Sequence, residues 1–596
     1  MPRLTDAARK RTFLGKLWAL TAPFFISAEA PIALTLLVIV IAMVLAIVYV
    51  NVQLNTWYGD FQNLLQAKDL APTAVAFFGH HLFTVNKFLY LIGKFALIVF
   101  PAVILSVYST YLRQMLSIRW RRWLTERFLG LWLEQRAYYR LQIYGGGTDN
   151  PEQRIEDDIA SFTDVTLQLI IGIINKTVTL ITFVSLLWVL SGPITLPLFG
   201  AEITIPGYMV WIAVIYAVVG TYVSYRIGRR LVRINFNQEQ YRANFRFGMS
   251  RLKENAESVA MYRGETDEHR GLMGLFTAVW TNWWELMRAQ KSLAWFQQLY
   301  GQAGGIFPIL VIAPRYFAGA IDFGTIFRIS QAFGQVSDAL TWFMDNFVAL
   351  AEWKATVNRL IGFVEAMERV KAKEPEIRVS AGDGMASLEA EGLGLALPDG
   401  RKLLEDLSAR IEPGDRVLIS GASGSGKTTL FRALAGLWPF GKGEVRVPSH
   451  VEALFLPQRP YLPQGTLRRA LAYPGAPEAF DDAAMQAALH LVNLDQLTDR
   501  LDESGNWSMS LSIGEQQRLA IARALLLKPD WLYLDEATAA LDAENEQRMY
   551  SLIAEHLPNA TVLSIAHRPE VARYHSRRLA IDPETRSATL SALATR

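Results

Sequence analysis

Residues 31 to 50, PIALTLLVIVIAMVLAIVYV, are twenty residues without a charge. At 1.5 Å of rise per residue, a helix of that length crosses about 30 Å of hydrocarbon. The run commits this part of the chain to a helix surrounded by membrane lipid. Five more candidate spans follow, at roughly 88 to 112, 165 to 191, 206 to 225, 292 to 313 and 325 to 350. Buried helices of a large soluble domain are the alternative, and it weighs most on the last span, which carries Arg328, Asp338 and Asp345. Composition favours the membrane: hydrophobic residues make up 51% of the chain and charged ones 19%.

At 596 residues the chain is too long for one core, so several domains are expected. Its net charge of +3 is too small to imply a nucleic-acid partner. The absence of cysteine excludes disulfides, Cys-ligated zinc and iron–sulfur clusters. The first thirty residues hold Arg3, Arg9, Lys10, Arg11 and Lys16 but no short apolar core followed by a small-residue cleavage site, so no removable signal peptide is expected.

Loop charge orients the spans. Ten Lys or Arg lie between Arg226 and Arg270 and the segment from Arg113 to Arg154 is arginine-rich, whereas Pro193 to Ile205 has none. By the positive-inside rule the N-terminus and the loops after spans two and four are cytoplasmic, and six spans return the C-terminus to the same side. Residues 113 to 163 and 226 to 290 read mostly as helix, so spans two to five should continue well beyond the bilayer. Within the second loop, residues 245 to 258 have an amphipathic pattern with Arg251, Glu254 and Glu257 on offer; a merely solvated face is the simpler reading.

Charges inside the spans are costly against lipid, so Lys94, Lys176, Arg328, Asp338 and Asp345 should face a cavity, a partner helix or the interface. Lys94 and Lys176 are equally well read as span-end or paired groups. Asp338 and Asp345 are seven apart, two helical turns, and share one face. They are the best candidates for a surface that senses substrate or cation.

The long hydrophobic runs stop between Glu365 and Gly384. The expected division is an N-terminal cytoplasmic segment over 1–30, a six-span helical membrane domain with cytoplasmic extensions over 31–365, a linker over 366–385 and an α/β P-loop domain over 386–596. In that last domain short apolar strands alternate with helical segments around a mostly parallel sheet.

The apolar run Arg416 to Ser420 is followed by GASGSGKTT, residues 421 to 429, and then by a helical segment from Leu430. This is the context that a phosphate-binding loop requires. Gly421, Gly424 and Gly426 are expected to take positive φ and bring backbone N–H groups against nucleotide phosphates. Ser423, Ser425 and Thr429 complete the cradle. Lys427 reaches the β/γ oxygens, and the Thr428 hydroxyl ligates Mg²⁺. Asp535, at the end of the apolar run from Trp531, can hold the Mg²⁺ shell through water, and Glu536 can polarise the attacking water as general base. Gln458, between the two motifs, could reach both Mg²⁺ and the membrane domain. His567 could hydrogen-bond the γ-phosphate and its water, although a lone His is more often structural.

Leu511-Ser-Ile-Gly-Glu-Gln-Gln-Arg518, with the phosphate loop, Gln458, Asp535, Glu536, Asp542 and His567, resembles the nucleotide-binding domain of ABC transporters over about 200 residues. The resemblance implies ATP and Mg²⁺ as cofactors and nucleotide contacts at Ser512, Gly514, Glu515 and Asp542. It also implies that Ser512 and Gly514 contact the γ-phosphate held by Lys427 of the opposite subunit; a serine and a glycine opening a helix suit such a role. With one phosphate loop and one signature, the chain is expected to be a half-transporter that works as a symmetric dimer with a second copy of itself. One departure concerns adenine: where many members stack the base on an aromatic residue, this chain has Leu397.

Six spans before one nucleotide-binding domain resemble the type IV, or exporter, architecture. Asn150 to Asp158, Asn255 to Glu265 and Leu456 to Leu467 resemble the branch of peroxisomal fatty-acyl half-transporters and bacterial BacA/SbmA-related proteins; Asn55 to Leu65 is similar to the BacA/SbmA side. The resemblance implies an ATP-hydrolysing translocase of the bacterial inner membrane that imports peptides, including antimicrobial ones, or bulky hydrophilic solutes such as cobalamin. Two alternatives stay open: lipid or fatty acyl-CoA as cargo, and a soluble or DNA-associated ATPase with a hydrophobic partner domain.

Overall fold

The computed structural model describes residues 12–68, 71–77, 80–144, 150–198, 201–382, 384–449 and 451–593; Arg3, Arg9, Lys10 and Arg11 lie outside them. The chain divides into two compact units, Met1–Val370 and Lys371–Arg596.

The first unit is helical. A short helix α1 (Phe13–Thr21) precedes α2 (Ala30–Ala67), which contains the uncharged run. A hairpin of β1 (Pro72–Phe77) and β2 (His80–Asn86) leads into α3 (Lys87–Leu133), whose first turn is capped by Asn86 accepting from the Leu89 amide at 2.8 Å. After α4 (Ala137–Ile143) and a π-helical turn at Arg154–Asp158 comes α5 (Ile159–Ser191). The stretch without Lys or Arg is a second hairpin, β3 (Ile194–Leu198) and β4 (Ala201–Ile205), followed by α6 (Tyr208–Glu254), α7 (Ala256–Tyr262) and α8 (Glu265–Phe317). Gly207, at φ +59°, closes that hairpin; a Cβ there would lie 2.3 Å from the Trp188 ring. Then α9 (Phe323–Asp345) and α10 (Phe347–Ala372) meet at Asn346, across which the bonds Asn346 N to Trp342 O and Leu350 N to Asn346 O, at 3.0 and 2.8 Å, keep the helical pattern.

Helices α3, α6 and α8 have 47, 47 and 53 residues. At 1.5 Å per residue they reach roughly 70 to 80 Å, more than twice a hydrocarbon core of about 30 Å. The basic segments beyond residues 113 and 226 are thus continuations of the apolar helices, and the amphipathic stretch at 245 to 258 breaks at Asn255, between α6 and α7. Among the described residues, four helical stretches are long and apolar enough to cross a membrane: Ala30–Ala67, Lys87–Ile143, Pro151–Ser191 and Tyr208–Glu254. The fifth and sixth candidates form helices α8 and α9 but are less apolar, because Gln297, Gln298 and Gln302 interrupt one and Arg328, Gln331, Gln335 and Asp338 the other.

Polar residues at helical spacing join α2 to α9. Asn55 is fully buried and donates to Arg328 O at 2.8 Å and Gln331 Oε1 at 2.9 Å. Asn63 donates to Asp322 and accepts from the Gly324 amide. Between them the two backbones touch: a Cβ on Gly324 would stand 2.1 Å from Gly59 O. Lys94 pairs with Asp60 at 3.4 Å, the paired alternative for that lysine. Near the other end of the unit Phe24 stacks on Trp120, which meets Phe162 edge-on, in a core shared by α3, α5 and α10. Asp158, 5% exposed, is held by Arg154 at 3.0 Å and by the Nε and Nη2 of Arg359 at 2.9 and 2.6 Å. A carboxylate so buried requires such pairing.

Residues 373 to 377 join α10 to β5 (Arg378–Gly382) in the second unit. There β5, β10 (Gly441–Pro448), β6 (Leu388–Ala396) and β7 (Lys402–Leu404) form one sheet, with β8 (Ala409–Ile411) also paired to β6. The main sheet runs β11 (Ala453–Leu456), β14 (Trp531–Asp535), β15 (Thr561–Ile565), β9 (Arg416–Ser420), β16 (Arg577–Asp582), β17 (Ser587–Ala592), parallel except for the last pair. All five residues of β15 are buried, as a parallel strand covered on both faces requires. Helices α11 (Lys427–Leu434) and α15 (Ala543–His556) accompany this sheet. A helical region packs α12 (Leu467–Ala472), α13 (Asp482–Leu491) and α14 (Ile513–Leu527) around buried leucines and Trp507, with β12 (Gly465–Thr466) and β13 (Ser504–Gly505) as a two-residue clasp.

Candidate functional site

The phosphate loop runs from the end of β9 into α11, at the edge where parallel strands end and ligands of open α/β sheets gather. Gly424 and Gly426 have φ of +78° and +92°, conformations that a side chain resists. Gly421 departs from expectation. Its φ is not positive, and glycine is needed because a Cβ would lie 2.8 Å from Ile581 O on the neighbouring β16. Lys427, buried, lays its ammonium across the loop and donates to Gly421 O and Ala422 O at 2.9 and 3.0 Å. Ser423 is exposed, Thr429 is half-buried, and the buried Ser425 hydroxyl has no protein partner. An unpaired buried hydroxyl beneath alternating left-handed glycines fits a loop shaped around phosphate.

Thr428 Oγ1 donates to Asp535 Oδ1 at 3.1 Å, so the two expected Mg²⁺ ligands already meet. Burial pushes the Asp535 carboxyl above the usual range, and neighbouring Glu536 adds to this against the opposing Thr428 bond, Arg432 and Lys427. A divalent cation would reverse that cost, which makes the pair a fitting place for one.

Glu536 has φ +51°, unusual for a side chain that gains nothing local from it. Its amide bonds Ile565 O on β15 at 3.1 Å, and its two carboxylate oxygens are divided between Gln458 Nε2 at 3.0 Å and His567 Nε2 at 2.9 Å. Three motifs far apart in the chain thus converge on one carboxylate. For His567 this geometry favours a role at the site over the structural reading.

Ser512 caps α14. Its Oγ accepts from the Glu515 amide at 3.3 Å, while Glu515 Oε2 takes bonds from Ser512 N at 2.9 Å and Oγ at 2.7 Å. Those bonds, side chain first, hold the Glu515 carboxyl below its ordinary range. Ser512 is exposed and Gly514 half-buried, so this helix N-terminus faces outward. Asp542 caps α15, accepting from the Asn545 amide and side chain at 2.8 Å each, and these bonds lower its pKa.

Gln517 was not singled out by sequence reasoning. It is fully buried and donates to Gln458 O at 2.9 Å while accepting from the Ala540 amide at 2.9 Å, which fastens α14 to the segments carrying Gln458 and Glu536. No pattern announced this role, since Gln517 shares the buried side of α14 with Arg523 as well as with Leu, Ile and Ala residues. Leu397 lies in a turn closed by Arg401 O, and Leu403 packs against Gly426, 3.3 Å from where a Cβ would be.

A glycine-rich loop that opens a helix, a carboxylate shared by Gln458 and His567 and a unit of membrane-length helices together define a nucleotide-driven membrane pump. The chain belongs to the ABC transporters: the family model for ABC transporter transmembrane region 2 matches residues 22–317, and the model named ABC transporter matches residues 404–539. It is a half-transporter, with one transmembrane region and one nucleotide-binding domain, and it uses ATP and Mg²⁺ for hydrolysis coupled to transport. It is 32% identical to the inner membrane ABC transporter ATP-binding protein YddA of Escherichia coli, over 94% of this chain and 96% of that one. It is 30% identical to the lysosomal cobalamin transporter ABCD4 of Mus musculus, over 79% and 81%. The fold is that of a bacterial Atm1-family ABC exporter solved with ATP bound, at a TM-score of 0.70 and 19% identity over 92% and 93%.

Proposed function

We propose that two copies of this chain form a homodimer in the bacterial inner membrane and use ATP to move peptides, including antimicrobial ones, or bulky hydrophilic solutes such as cobalamin, inward. The observation that carries the dimer is the outward-facing N-terminus of α14: Ser512 and Gly514 offer phosphate contacts that a partner's Lys427 loop would complete. In this reading Thr428 and Asp535 hold Mg²⁺ with help from Gln458. Glu536 takes the proton of the attacking water, and Gln458 and His567 orient the Glu536 carboxylate. Gly421, Ser423, Gly424, Ser425, Gly426, Lys427 and Thr429 cradle the phosphates, with Glu515 and Asp542 fixing the helices that complete the pocket.

Helices α2, α3, α5, α6, α8 and α9 cross the bilayer in this reading. The basic continuations of α3 and α6 support a cytoplasmic position for those ends, the N-terminus and the nucleotide-binding unit. In this reading the domain limits stand at 30, 365 and 385, with residues 366 to 372 finishing α10 and β5 lying inside the linker.

Peptide or hydrophilic cargo is supported by a cavity of about 430 Å³ with a mixed polar and apolar lining, bordered by α6, α8 and α9 and bearing Asp338 and Asp345. The named relative that carries cobalamin supports the second class of cargo. Lipid or fatty acyl-CoA is favoured by a different cavity, about 450 Å³ and mostly apolar, lined by Val214, Val218, Tyr222 and Leu340. Sealed vesicles of known orientation, offered labelled peptide, cobalamin or acyl-CoA, decide among them. Inward ATP-dependent accumulation of peptide or cobalamin is expected; accumulation of acyl-CoA alone would overturn the assignment.

A further inference from the structure

We propose that the cavity bordered by α6, α8 and α9 recognises one cationic group of the cargo, a guanidinium or primary ammonium, through the carboxylates of Asp338 and Asp345 set against a rigid aromatic wall. The proposal rests on the peptide reading above and names the chemistry by which such cargo would be chosen.

The cavity encloses about 430 Å³, within the range of small-ligand pockets. Asp338 and Asp345 reach it from one face of α9. On the side formed by α6 and α8, Tyr216 and Tyr300 stack with centroids 4.3 Å apart and planes at 19°. Each hydroxyl is spent on the other's backbone: Tyr216 Oη donates to Tyr300 O, and Tyr300 Oη donates to Tyr216 O at 3.0 Å. The rings are thereby fixed, and their hydroxyl protons are not free for cargo. Phe307 and Phe296 stack on the outer faces of Tyr216 and Tyr300, so the aromatic column is a rigid wall and the attraction for a cation comes from the two carboxylates.

Further observations narrow the ligand. The described lining carries hydroxyls, an amide and the two carboxylates but no Lys or Arg, so it repels anions. No group of three or more His, Cys, Asp or Glu able to hold a metal ion occurs among the described residues, which argues against a bare divalent cation. Gly301, Gly305 and Gly334 line the cavity, and a Cβ on any of them would meet nothing within 4 Å, so the space is wide enough for a side chain to enter. Lys176 of α5 attracts Asp345 and competes with an incoming cation. Carboxylates retained at membrane depth without a covalent role are expected to serve such a polar partner.

The test uses full-length protein in detergent and a fluorescent glycine–serine octapeptide with two arginines, beside the same peptide with neutral citrulline at both places. The wild type should bind the arginine peptide at least about tenfold more tightly. Asp338→Asn with Asp345→Asn should erase the preference and leave citrulline-peptide binding unchanged. Lys176→Gln should tighten the arginine peptide, a gain that misfolding does not produce. Equal affinity for the two peptides, a double variant that keeps the preference, or weaker arginine-peptide binding by Lys176→Gln overturns the proposal. Because binding needs no turnover, vesicles that accumulate no peptide would sink the transport reading without deciding this one.

Discussion

At the scale of residues, Glu536 is the group whose position says most about its task. Its carboxylate is claimed from two sides by Gln458 and His567, and its backbone is held at positive φ. Glu536→Gln keeps the size and one accepting oxygen but removes the base. ATP binding should stay within about twofold, while hydrolysis falls about 10²- to 10³-fold; wild-type turnover by that variant would remove Glu536 from its role.

A second titration concerns stability. His575 is buried between Val571 O and Ser564 Oγ at 3.0 and 2.9 Å, and burial pushes its pKa down to about 4. The unfolded imidazole, near pH 6.5, takes up its proton first, so the folded state is unaffected above that pH and loses stability as pH falls toward 4. The loss should be about 2 kcal/mol at pH 5, on the order of 3 kcal/mol below pH 4. Denaturant titration of the full chain at pH 7 and pH 5 measures it, and His575→Gln should flatten that dependence.

Most of these groups were legible beforehand, because phosphate and Mg²⁺ demand particular atoms in a particular order along the chain. Gln517 and the reason for Gly421 were not. One acts through burial and the other through the approach of β16, and neither contact exists until distant strands have been paired.

Among elements, the crossing of α2 and α9 is the most exposed to substitution. Asn55, Gly59 and Asn63 recur every fourth residue and meet Arg328, Gly324 and Asp322. Gly324→Val would drive a side chain into Gly59 O and force the helices apart, costing about 3 kcal/mol. The melting temperature in detergent should fall by several degrees, and Gly334→Ala, which opens on free space, should leave it unchanged.

Gln517→Ala would leave Gln458 O and the Ala540 amide without their bonds, a loss of about 1 to 3 kcal/mol. It should lower ATP turnover more than ATP affinity, because it loosens the segment that carries Gln458.

Hydrophobic runs located the helices but not their ends, since a helix leaving the bilayer changes the character of its side chains without changing its backbone. That is why α3 and α6 read as a span plus a loop. The mixed sheet of β5, β6, β7, β8 and β10 had no motif to announce it, because β10 meets β5 and β6 only across long sequence separations.

For the whole molecule, membership of the ABC transporters supplies the engine, and the dimer supplies the site. Each chain offers a Lys427 loop and a Ser512 helix start, and the account requires that hydrolysis use the two from different copies. Complementation tests this directly. Lys427→Ala and Ser512→Ala chains, purified separately, should each hydrolyse ATP at a small fraction of the wild-type rate. Mixed one to one under conditions that let subunits exchange, half of the dimers would be mixed and each would hold one intact site of two. About a quarter of wild-type activity should return. No recovery after proven exchange, or full activity from a Ser512→Ala monomer, would contradict the shared site.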